Sequence, residues 1–469
     1  MKPIARLLLI LVTLAALITG ACTVGPNYQR PVVQVPDGYR GAAAADAASP
    51  GAQSLGDQKW WEVFDDPALQ DLIGTAVRQN FDVRIAAARI LQAQSQLGIV
   101  RADQAPTVDA SAGAARARLA QSLGLPALQT NQFGAQVSAA WELDFWGKFR
   151  RATEAARAEL LASQWGQRAV VTSLVSEVAG AYFTLRAFDL DLDIARRTLT
   201  SRRESLRLTE VRAQGGVTSL LDVRQAEQLV FGGSAEIARL ERQIEQQENF
   251  ISILLGMNPS SVTRGRPLTE QPRAPDVPTG LPSALLARRP DIAQAEQQLV
   301  AANANIGVAR AAYFPQISLT GTAGLQSTAL SALFVGSAGL WSAGAALAQP
   351  VFTAGRTRAR VDLATARREE ATLVYQQTIQ QALRDVSDAL VAYRKGREFR
   401  EQEELLARSA GDARRLADLR YQGGATSYLE VLDSDTRLFS AELDLADAQL
   451  SELLALVQIY RSLGGGWQM

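Results

Sequence analysis

The chain has 469 residues, and its 48 basic residues balance 48 acidic ones, which removes the electrostatic basis of general nucleic-acid binding. Because it contains no histidine, the commonest general base, His-activated nucleophiles and most zinc or copper sites are excluded. Its single cysteine excludes intramolecular disulfides and Cys-cluster metal sites. Composition therefore argues against most classes of enzyme and predicts no metal site.

Residues 1–21 have the pattern of a secretory signal peptide. A basic start precedes an apolar run from Leu7 to Ile18, which is shorter than the roughly 20 residues that a membrane-spanning helix needs. Two small residues then precede Cys22, an ending that resembles a bacterial lipobox and predicts a covalent lipid on this cysteine. The alternative is ordinary cleavage that leaves an unpaired thiol. Apart from the lipid, no cofactor is expected.

Proline placement divides the mature chain. Residues 22–61 are rich in proline and alanine and are expected to form an extended N-terminal segment. Prolines also crowd residues 259–281, whereas residues 127–258 and 351–469 contain none. Since proline in a helix interior costs about 3 kcal/mol, the proline-free stretches are predicted to hold long helices, and residues 259–281 are predicted to form a linker.

A thirteen-residue segment occurs twice in the chain. Residues 211–223, VRAQGGVTSLLDV, recur 208 positions later as residues 419–431, LRYQGGATSYLEV. Two shorter segments recur at spacings of 208 and 209 residues, in the same order. Three matches at spacings that differ by at most one residue predict two copies of one structural unit, residues 62–258 and 282–465.

Each copy is predicted to contain a helix, two strands, a very long helix, a turn and a returning helix. The first helix begins near Pro67 or Pro282 and ends before Pro106 or Pro315. The predicted strands are residues 107–118, 132–143, 316–326 and 340–350. The predicted long helices are residues 149–212 and 356–420, and the returning helices are residues 219–256 and 427–462. At 1.5 Å per residue a long helix spans roughly 96 Å, so it requires lateral packing against other helices.

The predicted strands lie around two stretches without charge, residues 119–141 and 311–355. Apolar and polar side chains alternate there, which is typical of strands with one apolar face, and Val137 and Ile317 are predicted to face lipid. A transmembrane helix over residues 321–348 is disfavoured by its glycines and polar residues, and a soluble β-sandwich insert is the alternative.

Four strands per chain cannot close a barrel alone. An open sheet edge in lipid leaves unpaired backbone groups, and each of them costs several kcal/mol. The sequence therefore predicts that other copies of the chain complete the sheet, without fixing their number.

Several short segments carry a family resemblance. They are Cys22-Thr-Val-Gly-Pro-Asn-Tyr28, Trp60-Trp61 with Phe64-Asp-Asp-Pro67, Arg288-Arg-Pro-Asp-Ile292, Ile306-Gly-Val-Ala-Arg-Ala311 with Phe314-Pro315, and Leu463-Gly-Gly-Gly-Trp467. With them the chain resembles the outer-membrane channel lipoproteins of tripartite efflux systems, the OprM/TolC-like outer membrane factors of the NodT subgroup.

The resemblance implies an architecture and a function. It implies a homotrimer in which four strands per chain form a 12-stranded outer-membrane β-barrel, continued by a long α-helical barrel in the periplasm with a mixed equatorial belt. It implies a passive exit duct, lipid-anchored in the bacterial outer membrane, for drugs or other small molecules. The partners it implies are a periplasmic adaptor protein and an inner-membrane RND-type pump.

The resemblance also implies that the two helix-turn-helix tips dock the adaptor and close the tunnel. Here the tips correspond to the repeated Gln-Gly-Gly segments. The candidate docking residues are Gly215, Gly216, Val217, Ser219, Leu220, Leu221, Gly423, Gly424, Ala425, Ser427, Tyr428 and Leu429. The glycines permit a tight turn with positive φ, the serines are predicted to cap the returning helices, and the others offer a small apolar surface. The alternative is an ordinary helical hairpin turn.

A periplasmic gate is expected near the second tip. Family members tend to carry acidic residues that ring the pore at this tip, but Thr426 stands here where a tip aspartate is expected. We instead expect Asp418, Arg420 and Tyr421 to form cross-helix contacts that hold the tip closed. The alternative is that all three are ordinary solvated side chains.

Three other functions remain as alternatives. A type I secretion or metal-efflux channel would have the same architecture, although the absence of histidine and the presence of only three methionines give a metal-specific path no support. A structural periplasmic coiled-coil lipoprotein would have no lumen. A hydrolase with a carboxylate pair is disfavoured, because no clustered acidic motif occurs at a repeatable spacing.

Overall fold

The computed structural model describes residues 23–40, 54–119, 128–272 and 282–468. They fall into two compact units. Unit 1 takes its described residues from Met1–Val32, Arg89–Ser163 and Gln294–Tyr375, and unit 2 takes them from Val33–Ala88, Gln164–Ala293 and Gln376–Met469. The predicted signal peptide and Cys22 lie outside the described residues.

The same order of elements occurs twice along the chain. The first set is α1 (Trp60–Val63), α2 (Pro67–Gln79), α3 (Phe81–Ala102), β1 (Thr107–Leu119), β2 (Leu128–Glu142), α4 (Lys148–Gln214) and α5 (Leu220–Leu254). The second set is α6 (Pro282–Arg288), α7 (Pro290–Ala311), β3 (Gln316–Ser327), β4 (Gly339–Ala348), α8 (Arg356–Gln422) and α9 (Tyr428–Ser462). Apart from α1, each element of the first set has a counterpart in the second. None of the described helices is both long enough and apolar enough to cross a membrane.

The first helix of each copy is broken, where the sequence predicted one continuous helix. Asn80 separates α2 from α3, because its side-chain Oδ1 accepts hydrogen bonds from the backbone N–H groups of Asp82 and Val83 at 2.7 and 3.3 Å. In the second copy Pro290 begins α7 and removes the amide that a continuous helix would need. The strand prediction also differs, since β2 begins at Leu128 rather than at residue 132 and β4 ends at Ala348 rather than at residue 350.

In unit 1 residues 24–30, here called the N-terminal strap, lie along α4 and α7. Hydrogen bonds join Val24 to Trp146, Pro26 to Asn303, Asn27 to Arg151, and both Tyr28 and Arg30 to Glu296. The backbones of Gly25 and Gly307 approach so closely that a Cβ on Gly25 would lie 2.5 Å from the Gly307 Cα. The strap is therefore fixed to the helices at nearly every residue.

The core of unit 2 contains a buried carboxylate. Asp66 accepts hydrogen bonds from the Tyr182 hydroxyl at 2.9 Å, from the Gln271 amide at 2.9 Å and from the backbone N–H of Arg266 at 3.0 Å. Burial alone would raise the pKa of Asp66, but these hydrogen bonds outweigh it and lower that pKa. The Asp66 carboxylate thus joins α2, α4 and the segment after α5, which accounts for part of the Phe64-Asp-Asp-Pro67 motif.

Candidate functional site: the sheet and the hairpin tips

The four strands of unit 1 form one antiparallel sheet in the order β1-β2-β3-β4. Side chains that lie directly opposite each other in the register project from the same side of a sheet. One side, here called the apolar face, carries Val108, Ala110, Ala112 and Ala114 of β1, Phe133, Ala135, Val137, Ala139 and Trp141 of β2, Ile317, Leu319, Gly321, Ala323 and Leu325 of β3, and Trp341, Ala343, Ala345 and Leu347 of β4. The apolar run of β2 covers nine residues (133–141), close to the about 9–11 of a membrane-spanning strand.

The opposite side of the sheet, here called the polar face, carries hydroxyl and amide side chains interspersed with alanine and glycine. Its polar members are Thr107, Asp109, Ser111, Thr130, Gln132, Gln136, Ser138, Glu142, Gln316, Ser318, Thr320, Thr322, Gln326 and Ser342. Asp109 and Glu142 are the acidic residues of these strands, and both belong to this face. A sheet with one apolar and one polar side fits a boundary between lipid and a water-filled lumen.

Both edges of the sheet are open in the described chain, because β1 and β4 are the outer strands and do not pair with each other. Each strand runs antiparallel to its neighbour, so β1 and β4 run in opposite directions. A β1 edge can therefore pair in antiparallel fashion with the β4 edge of another copy. The unsatisfied N–H and C=O groups of both edges favour such pairing.

The first hairpin tip joins α4 to α5 in unit 2. The turn closes with hydrogen bonds from the N–H groups of Gly216 to Ala213 and of Val217 to Arg212, at 3.0 and 2.9 Å, and Gly216 has a φ of 72°. Ser219 caps α5 as predicted, since its hydroxyl accepts from the backbone N–H of Asp222 while the Asp222 carboxylate accepts from the backbone N–H of Ser219. The apolar side chains of Val217, Leu220 and Leu221 are exposed at this tip.

The second tip, between α8 and α9, has the same turn but a different cap. Gly424 has a φ of 72°, and the N–H of Ala425 donates to the carbonyl of Arg420 at 2.8 Å. The prediction that Ser427 caps α9 through its side chain is wrong, because the Ser427 hydroxyl makes no capping hydrogen bond. The carboxylate of Glu430, which lies where Asp222 lies in the first tip, instead accepts from Arg420 at 2.8 Å and from the Thr426 hydroxyl.

Two tyrosines of the second tip are buried between the hairpins. Tyr421 and Tyr428 lie with their ring centroids 5.4 Å apart, in a cluster that also contains Ala226 of α5. The guanidinium of Arg212, from α4, lies 4.5 Å from the Tyr421 ring centroid. Burial, followed by the charge of nearby Asp435, raises the pKa of Tyr428 to about 12. Tyr428 was predicted as part of an exposed docking surface, and its burial corrects that prediction.

The three predicted gate residues take different positions. Tyr421 contacts both hairpins, and Arg420 reaches across from α8 to Glu430 of α9. The contacts of Asp418 stay within α8, because its carboxylate accepts from Gln422 at 3.0 Å and pairs with Arg414 at 3.3 Å. The expectation of cross-helix contacts therefore holds for Arg420 and Tyr421 and is wrong for Asp418.

A buried ion-pair cluster farther from the tips was missed by sequence analysis. The Asp435 carboxylate of α9 accepts from Arg202 of α4 at 2.8 Å and from Arg414 of α8 at 3.3 Å. All three side chains are largely buried, and the Arg202 guanidinium lies 4.9 Å from the ring centroid of Phe439. A signal was present, because Asp435 interrupts the stripe that Val431 and Phe439 form at four-residue spacing. The cluster ties the two hairpins together by charge.

Comparison with known proteins identifies the class first. The fold is similar to that of solved outer-membrane channels, such as the open state of MtrE from Neisseria gonorrhoeae. That structure matches with a TM-score of 0.86 and 33% identity, covering 95% of this chain and 99% of MtrE. The chain therefore has the fold of an outer-membrane efflux channel.

The family follows from the sequence. The model described as "Outer membrane efflux protein" matches residues 72–257 and 281–465. The chain belongs to this family, so it is an outer-membrane channel component of an efflux system, which confirms the family, function and location predicted from sequence. The solvent efflux pump outer membrane protein SrpC of Pseudomonas putida is 38% identical over 470 residues, with 97% of each chain covered. The cation efflux system protein CusC of Escherichia coli is 34% identical over 454 residues, again with 97% of each covered.

Proposed function

We propose that the chain forms a homotrimeric passive exit duct with no catalytic chemistry. The observation that carries this proposal is the four-stranded sheet with one apolar face and two open edges. Three copies joined β1 to β4 would close a ring of 12 strands, antiparallel at every junction, with the apolar face toward lipid and the polar face toward a lumen. In this arrangement no backbone edge remains unpaired in the membrane.

The chain connections at the two ends of the sheet indicate how it is oriented in the outer membrane. At one end, here called the helix end, the strands continue into α3, α4, α7 and α8, and at the other, the hairpin end, β1 joins β2 and β3 joins β4. Long helices with charged faces belong in water, so we assign the helix end to the periplasm and the hairpin end to the cell exterior. The chain would consist of two copies of one unit, residues 62–258 and 282–465, joined by the linker at residues 259–281.

The hairpin tips would dock a periplasmic adaptor that delivers cargo from an inner-membrane RND-type pump. In support, the described part of the chain leaves four apolar side chains exposed at helix ends, namely Val217, Leu220 and Leu221 of the first tip and Leu429 of the second. Tyr428 is left out of this surface because it is buried. Drugs or other small molecules are the proposed cargo, with cations as the alternative.

Cysteine cross-linking tests the ring. A cysteine at Ala343 of β4, combined in turn with one at Ala110, Ala112 or Ala114 of β1, should give a ladder of dimers and trimers on a denaturing gel for at least one pair. The matched control pairs Val137 with Ala323, which lie opposite each other in the β2–β3 register and should cross-link within one chain. A detergent-purified protein that is monomeric, with no ladder for any pair, would contradict the proposal.

The class of transported substrate is tested by measuring the sensitivity of cells that lack the gene. Deletion of the gene should increase sensitivity to drugs or solvents, and the wild-type chain should restore resistance. Increased sensitivity to metal ions alone would instead favour the cation alternative. Reduced export of a secreted protein alone would favour type I secretion.

We also propose that Cys22 carries the covalent lipid predicted from sequence. Labelling with a radioactive fatty acid should mark the wild-type chain, and Cys22→Ser should remove the label. A wild-type chain without label would show that the N-terminus is processed by ordinary cleavage.

A further inference from the structure

Two arginines lie on the apolar face where that face ends. In the β1–β2 register Ala114 lies opposite Phe133, which is the last apolar pair on this face toward the hairpin end. The next two pairs on the same face are Arg116 with Asn131 and Arg118 with Gln129. Both arginine side chains are exposed. The face thus changes from apolar to cationic within two residues of one strand.

These arginines have no acidic partner in the described part of the molecule. Asp109 and Glu142 are the acidic residues of the four strands, and both belong to the polar face near the helix end. Arg116 donates a hydrogen bond from its Nη2 to the side-chain oxygen of Gln129 at 3.4 Å, and this acceptor is neutral. Two positive charges at the rim of an apolar surface are therefore without counter-charge in the described residues.

We propose that Arg116 and Arg118 bind the phosphate groups of a phosphorylated glycolipid in the outer leaflet of the membrane. The proposal rests on the orientation given above, in which the apolar face meets lipid and the hairpin end faces the cell exterior. At that level the polar head groups of the outer leaflet begin. A lipid is favoured over a soluble anion because the apolar residues directly below, from Ala114 to Val108, offer a surface for its acyl chains.

The chemistry of this rim suits a phosphate. Guanidinium groups present several N–H donors in a planar fork that matches phosphate oxygens, and they stay charged at every physiological pH. Asn131 and Gln129, opposite them on β2, each carry an amide that can donate further hydrogen bonds. Each basic residue near an anionic membrane surface adds to the electrostatic attraction. The pair would thus select the anionic head group while the apolar face binds the chains.

Lipid binding by the purified full-length chain tests the proposal. Native mass spectrometry would measure binding of bis-phosphorylated lipid A in detergent without divalent cations, beside the same lipid with its phosphates removed. Wild-type protein should prefer the phosphorylated lipid, and Arg116→Gln combined with Arg118→Gln should weaken that binding about 30-fold, which corresponds to about 2 kcal/mol. Binding of the dephosphorylated lipid should be the same for both proteins.

A matched control removes the same charge elsewhere. Arg203 and Arg207 are exposed on α4 in unit 2, and Arg203→Gln combined with Arg207→Gln should leave lipid binding unchanged. Equal loss in both double variants, equal binding by wild type and the β1 variant, or full competition by millimolar inorganic phosphate would overturn the proposal. The same spectra report the subunit number. If the protein is trimeric but binds the phosphorylated and dephosphorylated lipids equally, only this inference is overturned. If the protein is monomeric, the proposed channel itself is overturned.

Discussion

In the first hairpin tip Leu220 is 66% exposed, whereas Tyr428, at the same place in the second tip, is 5% exposed. A similar contrast holds seven residues earlier, on the helix before the hairpin turn, where the first tip has the half-buried Ala213 and the second has the buried Tyr421. The two tips share a turn, a glycine with a φ of 72° and a thirteen-residue pattern. They differ in which side chains the other hairpin covers.

This difference separates two roles that the repeated pattern alone does not distinguish. The second tip uses aromatic side chains to hold α5, α8 and α9 together, with Arg212 of α4 lying against Tyr421. The first tip leaves its aliphatic side chains exposed and stabilises itself with a local cap. We expect the first tip to contribute more contact surface and the second more of the resistance to opening.

The largest expected effect concerns Tyr428. Tyr428→Ala should lower the local stability of the second tip by about 3 kcal/mol or more, because truncation of a buried aromatic side chain leaves a cavity. Leu220→Ala should change stability by less than about 0.5 kcal/mol, since Leu220 is exposed, but it should weaken adaptor binding. Hydrogen exchange of tip amides measures the first effect, and co-purification with the adaptor measures the second. Equal loss of protection in both variants would remove the distinction between the tips.

Valine at the turn glycines should have a smaller effect that is similar in both tips. Gly216→Val and Gly424→Val each place a β-branched residue at a φ of 72°, which costs about 1–2 kcal/mol. Both variants should impair drug resistance while assembly of the proposed homotrimer and surface abundance stay normal. Gly423→Ala is the matched control, because Gly423 is not among the positive-φ residues. Normal resistance in Gly424→Val would show that the turn shape is unimportant for efflux.

Removal of the hydroxyl should destabilise the protein at Ser219, which caps α5, more than at Ser427, which does not cap α9 through its side chain. Ser219→Ala should cost about 1 kcal/mol because it removes an N-cap hydrogen bond. Ser427→Ala should cost less than about 0.5 kcal/mol, since that hydroxyl caps nothing. Thermal unfolding of both variants provides the comparison. A larger loss for Ser427→Ala than for Ser219→Ala would contradict the cap assignment.

The smallest expected effect is a dependence of folding stability on pH, caused by Asp222. Hydrogen bonds from Thr218 and Ser219 lower the pKa of Asp222 below its ordinary value of 3.8 despite some burial. A carboxyl with a lowered pKa in the folded state stabilises that state above its unfolded pKa, and this stabilisation disappears as the pH falls through the folded pKa. Asp222→Asn should therefore reduce the melting temperature more at pH 7 than near pH 2. An equal reduction at both pH values would assign the effect to shape rather than charge.

The sequence predicts the elements whose signals are local. The observed long helices, Lys148–Gln214 and Arg356–Gln422, extend at most two residues beyond the predicted bounds, because proline-free stretches and turn glycines mark their limits. The break at Asn80 was missed, since an asparagine that caps a helix differs little in sequence from one within a helix. Its amide also donates to the Leu254 carbonyl at 2.9 Å, a contact across 174 positions.

The residues that sequence analysis misplaced depend on distant partners. Tyr428 lies in a turn pattern that suggests exposure, but it is buried in a cluster that joins Tyr421 of its own hairpin and Ala226 of the other hairpin. Arg202 and Asp435 are 233 positions apart, and no spacing rule connects them. Repetition of a pattern therefore predicts the turn that both copies share, but not the surface that each copy presents.

The N-terminal strap has a consequence for membrane attachment. Its first bonded residue, Val24, donates to the Trp146 carbonyl four residues after β2 ends, at the helix end of the sheet. A lipid on Cys22 would thus start two positions from a fixed point rather than from a loose tether. If Cys22 carries the proposed lipid, its fatty-acid tails would enter the inner leaflet at a constant depth beside the sheet, which would orient each subunit before the proposed homotrimer assembles.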